Sequence, residues 1–169
     1  MKSKLTGILL LFGLLLGAGC GNAAAPEQDL ATVEDWLPLR IGEATLEVQL
    51  AVTPAERQKG LMFREELGEN RGMLFVFETG EPRGFYMKNT PIPLRIGFFR
   101  PDGELREIRR LFPHDLNTVR SRDQDIQFAL EVNPEWFREN EIRPGAYLNL
   151  EDVRTGLEQR GFAPADFGL

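Results

Sequence analysis

Residues 126–132 read Ile-Gln-Phe-Ala-Leu-Glu-Val. Ile126, Phe128, Leu130 and Val132 alternate with Gln127, Ala129 and Glu131, the period-two pattern of a β-strand with one buried face. After it, Asn133-Pro134-Glu135 caps a short helix through Phe137, and Arg143-Pro144-Gly145 turns the chain into a strand over 146–150. Before it, the same alternation recurs at Leu46, Val48, Leu50 and Val52. Thr53-Pro54-Ala55-Glu56 then combines an N-cap hydroxyl, Pro at the first helical position and Glu at the third, a capping box for a helix that ends near Gly60. Met73 to Phe77 is apolar on both faces, as a central strand would be. Phe85–Lys88 and Leu94–Phe99 are further strands, and Arg100-Pro101-Asp102-Gly103 makes a hairpin turn into a strand over 104–110. About seven short strands and two brief helices predict a mainly β domain, an antiparallel sandwich or barrel.

Composition narrows the chemistry. The 169 residues carry 26 acidic and 20 basic side chains, a formal net charge of −6, with one Cys and one His. Zinc sites and disulfides need several Cys or His, and only Cys20 and His114 exist. Ser3 and Ser121 are the only serines and neither sits in a nucleophile elbow. Gly-rich phosphate loops are absent, and no pattern calls for a cofactor or metal. No basic stripe with interleaved aromatics favours nucleic acid as a partner.

The amino terminus has its own logic. Lys2 and Lys4 precede an apolar run from Leu5 to Leu16, then Gly17, Ala18, Gly19 and Cys20. That order is a secretory signal, too short to span a bilayer comfortably. The site resembles a bacterial lipoprotein box, with Gly17 where the box usually has Leu. The resemblance implies cleavage before Cys20, lipidation of its thiol, and an extracytoplasmic protein held at a membrane. Two or more acyl chains suffice for stable anchoring. The mature chain would keep 18 basic against 26 acidic side chains, a net charge of −8. The expected divisions are a signal peptide over 1–19, a flexible tether over 20–35, a β domain over 36–155 and a C-terminal tail over 156–169.

Glu56-Arg57, Gly60-Leu61-Met62-Phe63-Arg64, Gly72 to Phe77, Phe85-Tyr86-Met87-Lys88-Asn89-Thr90 and Leu130-Glu131-Val132-Asn133 follow one another in an order that resembles a single family, domain of unknown function 192 (DUF192). The resemblance covers roughly Ala44 to Leu150 and implies a mainly β fold of jelly-roll type, with no biochemical role attached. Three positions depart from the family's pattern. Tyr86 stands where Trp is usual, Arg95 where Asp is usual, and Trp136 near a common Gly.

Candidate contacts follow from residue chemistry. Lys88, Asn89 and Thr90 would gather a cation, an amide and a hydroxyl at one strand end, able to hold a carboxylate, a sugar or a peptide terminus. The simpler alternative pairs Lys88 with Glu131 and leaves Asn89 to the turn. Arg57 and Arg64 bracket the capped helix and either face one pocket or clamp nearby acids. His114 belongs to a polar loop, Asp123 and Asp125 match no calcium loop, and Met62, Met73 and Met87 suit core filling. The function expected is noncatalytic binding of a small molecule, glycan or protein partner through Lys88, Asn89, Arg57, Arg64 and Glu131. A hydrolase or lyase using Glu131 with Lys88 or His114 is one alternative, and a structural envelope protein is another.

Overall fold

Strands Leu37–Ile41 (β1) and Ala44–Ala51 (β2) form an antiparallel hairpin whose two-residue turn places Gly42 at φ +54°. The computed structural model describes residues 29–169; the expected signal peptide, Cys20 and residues 21–28 lie outside the described residues. Helix Pro54–Lys59 (α1) follows β2, and the capping box forms as the residue pattern predicts. Thr53 Oγ1 accepts from the Glu56 N–H at 3.3 Å, while the Glu56 carboxylate accepts from the Val52 and Thr53 N–H groups, both at 2.9 Å.

The helix separates β2 from Arg71–Glu81 (β3), and these two strands run parallel. A tight turn reverses direction, whereas a long connection containing a helix lets the chain re-enter at the same end. The sheet is therefore mixed rather than wholly antiparallel. Gly84–Phe85 (β4), Leu94–Phe99 (β5), Leu105–Leu111 (β6), Val119–Arg120 (β7) and Ile126–Val132 (β8) complete the strands. Six form one sheet in the order β1-β2-β3-β8-β5-β6, and β4 pairs with β7 in a small second sheet. β5 and β6 form the expected hairpin, with the Gly103 N–H donating to the Arg100 carbonyl at 2.9 Å. The strand expected over Phe85–Lys88 is shorter than its pattern suggests, because the Thr90 N–H returns to the Met87 carbonyl and makes residues 87–90 a turn.

Three short helices are present among the described residues, α1, Trp136–Glu139 (α2) and Leu150–Gln159 (α3), with a 3-10 turn over Pro164–Phe167. In place of a strand over 146–150, single bridges join Leu148 to Ile41 of β1 and Tyr147 to Glu104 beside β6. That segment links the two edges of the sheet at one end, yet among the described residues no closed barrel forms.

Core residues cover both faces of the sheet. One layer packs Leu39, Leu46, Leu74, Phe128 and Leu130 against α2, α3 and Phe167. The other contains Leu61, Met73, Phe75, Met87, Ile96, Phe98 and Ala129. The segment expected as a tail over 156–169 belongs to the fold, since Leu157 and Phe167 are buried and the 155/156 boundary falls inside α3. The last residues of the expected tether are also attached, with the Ala31 N–H donating to the Gln159 carbonyl at 2.8 Å. Arg160 ties the two ends of the fold together. Its Nη2 meets Glu56 Oε1 at 2.6 Å, and its Nη1 donates to the Leu50 carbonyl.

Truncating a fully buried leucine loses transfer free energy and leaves a cavity. Leu157→Ala is accordingly expected to cost about 2–4 kcal/mol in urea unfolding. A loss below about 0.5 kcal/mol, the range of surface substitutions, would show α3 to be an appendage.

Candidate functional site

The site begins with the position of β8. It lies between β3 and β5, so both its edges are hydrogen-bonded, and all seven of its residues are buried. Glu131 therefore sits inside the protein, although simple alternation places Gln127 and Glu131 on an outer face. Met73 and Ile96 lie directly opposite Glu131 on the two flanking strands, and both belong to the second apolar layer. Residues directly opposite in a sheet share a face, so the acid projects into that layer.

Gln127, the other polar residue of β8, is satisfied by donating through Nε2 to the Phe167 carbonyl at 2.6 Å. Glu131 is 4% exposed and has no side-chain hydrogen bond or ion pair among the described residues. Every fully enclosed side-chain polar atom among the described residues has a hydrogen-bond partner. The partnerless Glu131 oxygens must then reach open space, and they do so in a pocket of about 260 Å³. Its wall includes Leu61, Phe75, Phe85, Tyr86 and Met87, with Arg57 and Lys59 from α1. Phe75 and Phe85 meet edge to face, their centroids 4.9 Å apart. Burial alone pushes the Glu131 carboxyl up to about 8, because a charge without a partner is poorly solvated there. At neutral pH this acid is mostly protonated, and it can donate a hydrogen bond, or release its proton to solvent when a cation binds beside it.

The other expected contacts divide around this pocket. Arg57 lines it, but its guanidinium donates to the Val52 and Val76 carbonyls and lies 4.9 Å from the Phe77 ring centroid. Arg64 faces a neighbouring depression, where it donates to Gln49 Oε1 and lies 3.7 Å from the Glu34 carboxylate. Lys88 and Asn89 are exposed and do not line the Glu131 pocket, and Lys88 makes no ion pair with Glu131. Asn89 serves the turn, with φ +55° and its carbonyl accepting from the Phe63 N–H at 2.7 Å. His114 is exposed and also lies outside the pocket. The acid–base pairs of Glu131 with Lys88 or His114 are thus not brought together there. Asp123 is held by Arg100 at 2.8 Å and by Arg106 at 3.1 Å. Arg95 lies opposite Val132, on the sheet face away from Glu131.

Three connected turns cap this end of the molecule. Phe63, Asn89 and His114 all have positive φ, between 55° and 65°, and the His114 N–H donates to the Thr90 carbonyl at 3.1 Å. Left-handed backbone at non-glycine residues is costly and persists where surrounding contacts enforce it.

Comparison with known proteins agrees with this architecture. The family model DUF192, Uncharacterized ACR, matches residues 38–150. The chain belongs to the DUF192 family. Among solved structures it is similar to a candidate transcription regulator from Sinorhizobium meliloti 1021, at 33% identity and a TM-score of 0.64, covering 68% of this chain and 93% of that one. A protein of unknown function from Novosphingobium aromaticivorans DSM 12444 is similar at 31% identity and a TM-score of 0.65, covering 75% and 94%. No curated protein matches the chain.

The pocket of this DUF192 chain uses residues that sequence reasoning assigned to the core. Phe75, Phe85 and Met87 are apolar and carry no signal that separates a wall from a filling. Sequence alternation places Glu131 on the outer face of its strand, and only the position of β8 between β3 and β5 buries it.

Linkage supplies a test. Glu131 binds a proton more tightly folded than unfolded, so its contribution to stability is lost as pH rises from its unfolded value towards about 8. Glu131→Gln removes that loss. Between pH 5 and pH 8 the wild type should lose a few kcal/mol relative to the variant in denaturant unfolding, on the order of 1.4 kcal/mol per pH unit at most. A difference that does not change with pH would place an ordinary, solvated carboxylate at this position.

Proposed function

We propose that this chain is a lipid-anchored extracytoplasmic binding protein that holds a small, largely apolar molecule in the Glu131 pocket without transforming it. One observation carries the binding role: a buried carboxyl group with no partner among the described residues opens into a cavity lined by aromatic and aliphatic side chains together with Arg57, Gln58, Lys59 and Thr90. Buried polar groups are almost always satisfied within the protein, and an exception in a concave apolar site is what a ligand completes. The concave shape also favours a small molecule over a flat protein surface. The absence of Lys88 and His114 from the pocket lining favours binding over the acid–base alternative. The anchor is supported by the signal layout of Lys2, Lys4, Leu5–Leu16 and Cys20.

Met62 and Met87 line the pocket, and their methyl groups are natural reporters. In a screen of small amphipathic molecules with ¹³C-methyl-labelled methionine, ligands should move the Met62 and Met87 signals and raise the melting temperature together. Hits that move neither methyl would direct attention elsewhere on the molecule and contradict the pocket.

The anchor has a separate test. In a bacterial host the full-length chain should fractionate with membranes and carry acyl mass on Cys20, whereas Cys20→Ala should be recovered without acylation and released from the membrane. An unmodified Cys20 within an intact amino terminus would refute lipidation.

A further inference from the structure

The polar groups around the pocket differ in what they still have to offer a ligand. Arg57 spends its guanidinium on two backbone carbonyls and the Phe77 ring, with the Glu78 carboxylate 3.9 Å away. Lys59 pairs with Glu34 at 3.3 Å. Thr90 Oγ1 donates to the Lys88 carbonyl at 3.3 Å. Glu131 is the one charge-bearing side chain of this wall that has no partner among the described residues. An anionic ligand would meet cations already committed, and an acid that repels it once ionised. A wholly apolar ligand would seal the carboxyl away with nothing to bond. A ligand with a positive end supplies the missing partner, and it does so at low local dielectric, where opposite charges attract strongly.

The surrounding wall fits the same ligand. Phe75 and Phe85 line the same pocket as the acid, and a cation near aromatic faces is stabilised by their quadrupoles. Methionine sulfur adapts to irregular apolar shapes, and Met62 and Met87 both line the pocket. The net charge of −6 also favours the approach of cations over anions.

We propose that the ligand is a small organic ammonium ion, its nitrogen bonded to the Glu131 carboxylate and its apolar body lying among Phe75, Phe85 and Met87. The proposal rests on the pocket reading above and adds the chemical class of the occupant. The titratable groups that share the pocket wall with Glu131 are Arg57 and Lys59 from α1 and Tyr86 from the segment after β4, while Met73 from β3 and Ile96 from β5 lie opposite it in the sheet. Ionisation of Glu131 is opposed by its burial and is favoured by an ammonium ion beside it. Binding should then release a proton near neutral pH, and affinity should rise from pH 6 to pH 8.

Three probes of one shape separate the outcomes: 2-phenylethylammonium, 2-phenylethanol and 3-phenylpropionate, titrated into the folded protein by calorimetry and by methionine-methyl NMR. At pH 8 the ammonium ion should bind roughly tenfold or more tightly than the alcohol. It should move the Met62 and Met87 methyls and release protons, measured in buffers of different ionisation enthalpy. Glu131→Gln should abolish the preference for the ammonium ion while leaving alcohol binding in place. The three-way comparison on the wild type does not depend on that variant. Equal or tighter binding of the alcohol, or any preference for the carboxylate, would overturn the ammonium class while leaving a ligand pocket. Failure of all three to move either methyl at millimolar concentration would overturn both.

Discussion

The central strand β8 constrains most of what this protein can do. Its edges are consumed by β3 and β5, and its faces by two apolar layers, so each of its side chains must find a solution inside the protein. Six of the seven do. The hydrophobic residues pack, and Gln127 reaches the Phe167 carbonyl. Glu131 has only the pocket. A carboxyl group in that position costs stability whenever it is charged, and a fold that needed only packing would be served better by an apolar residue of similar size. That cost is the ground for proposing the pocket as a functional feature.

The elements around β8 explain why the pocket stays open. α1 is fixed by its capping box, and Glu56 in turn receives Arg160 from beyond α3. Burial works against ionisation of Glu56, but the Thr53 and Val52 N–H groups and the Arg160 guanidinium outweigh it and hold the carboxyl below its usual range. One wall of the pocket is thus tied to the C-terminal segment. The opposite wall, from Phe85 to Thr90, is stitched through backbone hydrogen bonds to the Phe63 turn and the His114 turn. These ties fix the backbone of both walls, as a preformed ligand site requires.

Much of the fold was legible in the amino-acid sequence, for reasons that differ by element. The alternation over 46–52 and 126–132, the Thr53–Glu56 box and the turn at 100–103 are local signals, and each formed where its chemistry required. Nonlocal features were less legible. Parallel pairing of β2 with β3 depends on where the chain re-enters after α1. The packing of 156–169 depends on partners far away in sequence, such as Leu50 and Glu56 for Arg160. The site split the same way. Glu131 was legible as a candidate partner for Lys88 and Arg57 as a charge bracketing the capped helix, whereas the polar cluster of Lys88 and Asn89 lies outside the pocket, and Asn89 answers a backbone need, a positive φ in a tight turn. The aromatic wall was invisible because pocket and core use the same residues.

Direct titration of Glu131 decides the central claim. With ¹³C-labelled glutamate, the side-chain carboxyl resonance assigned through Glu131→Gln should titrate near pH 8 in the free protein. A midpoint in the ordinary carboxylate range, near 4.5, would mean that the acid is solvated or paired, and the account of the pocket built on it would fall.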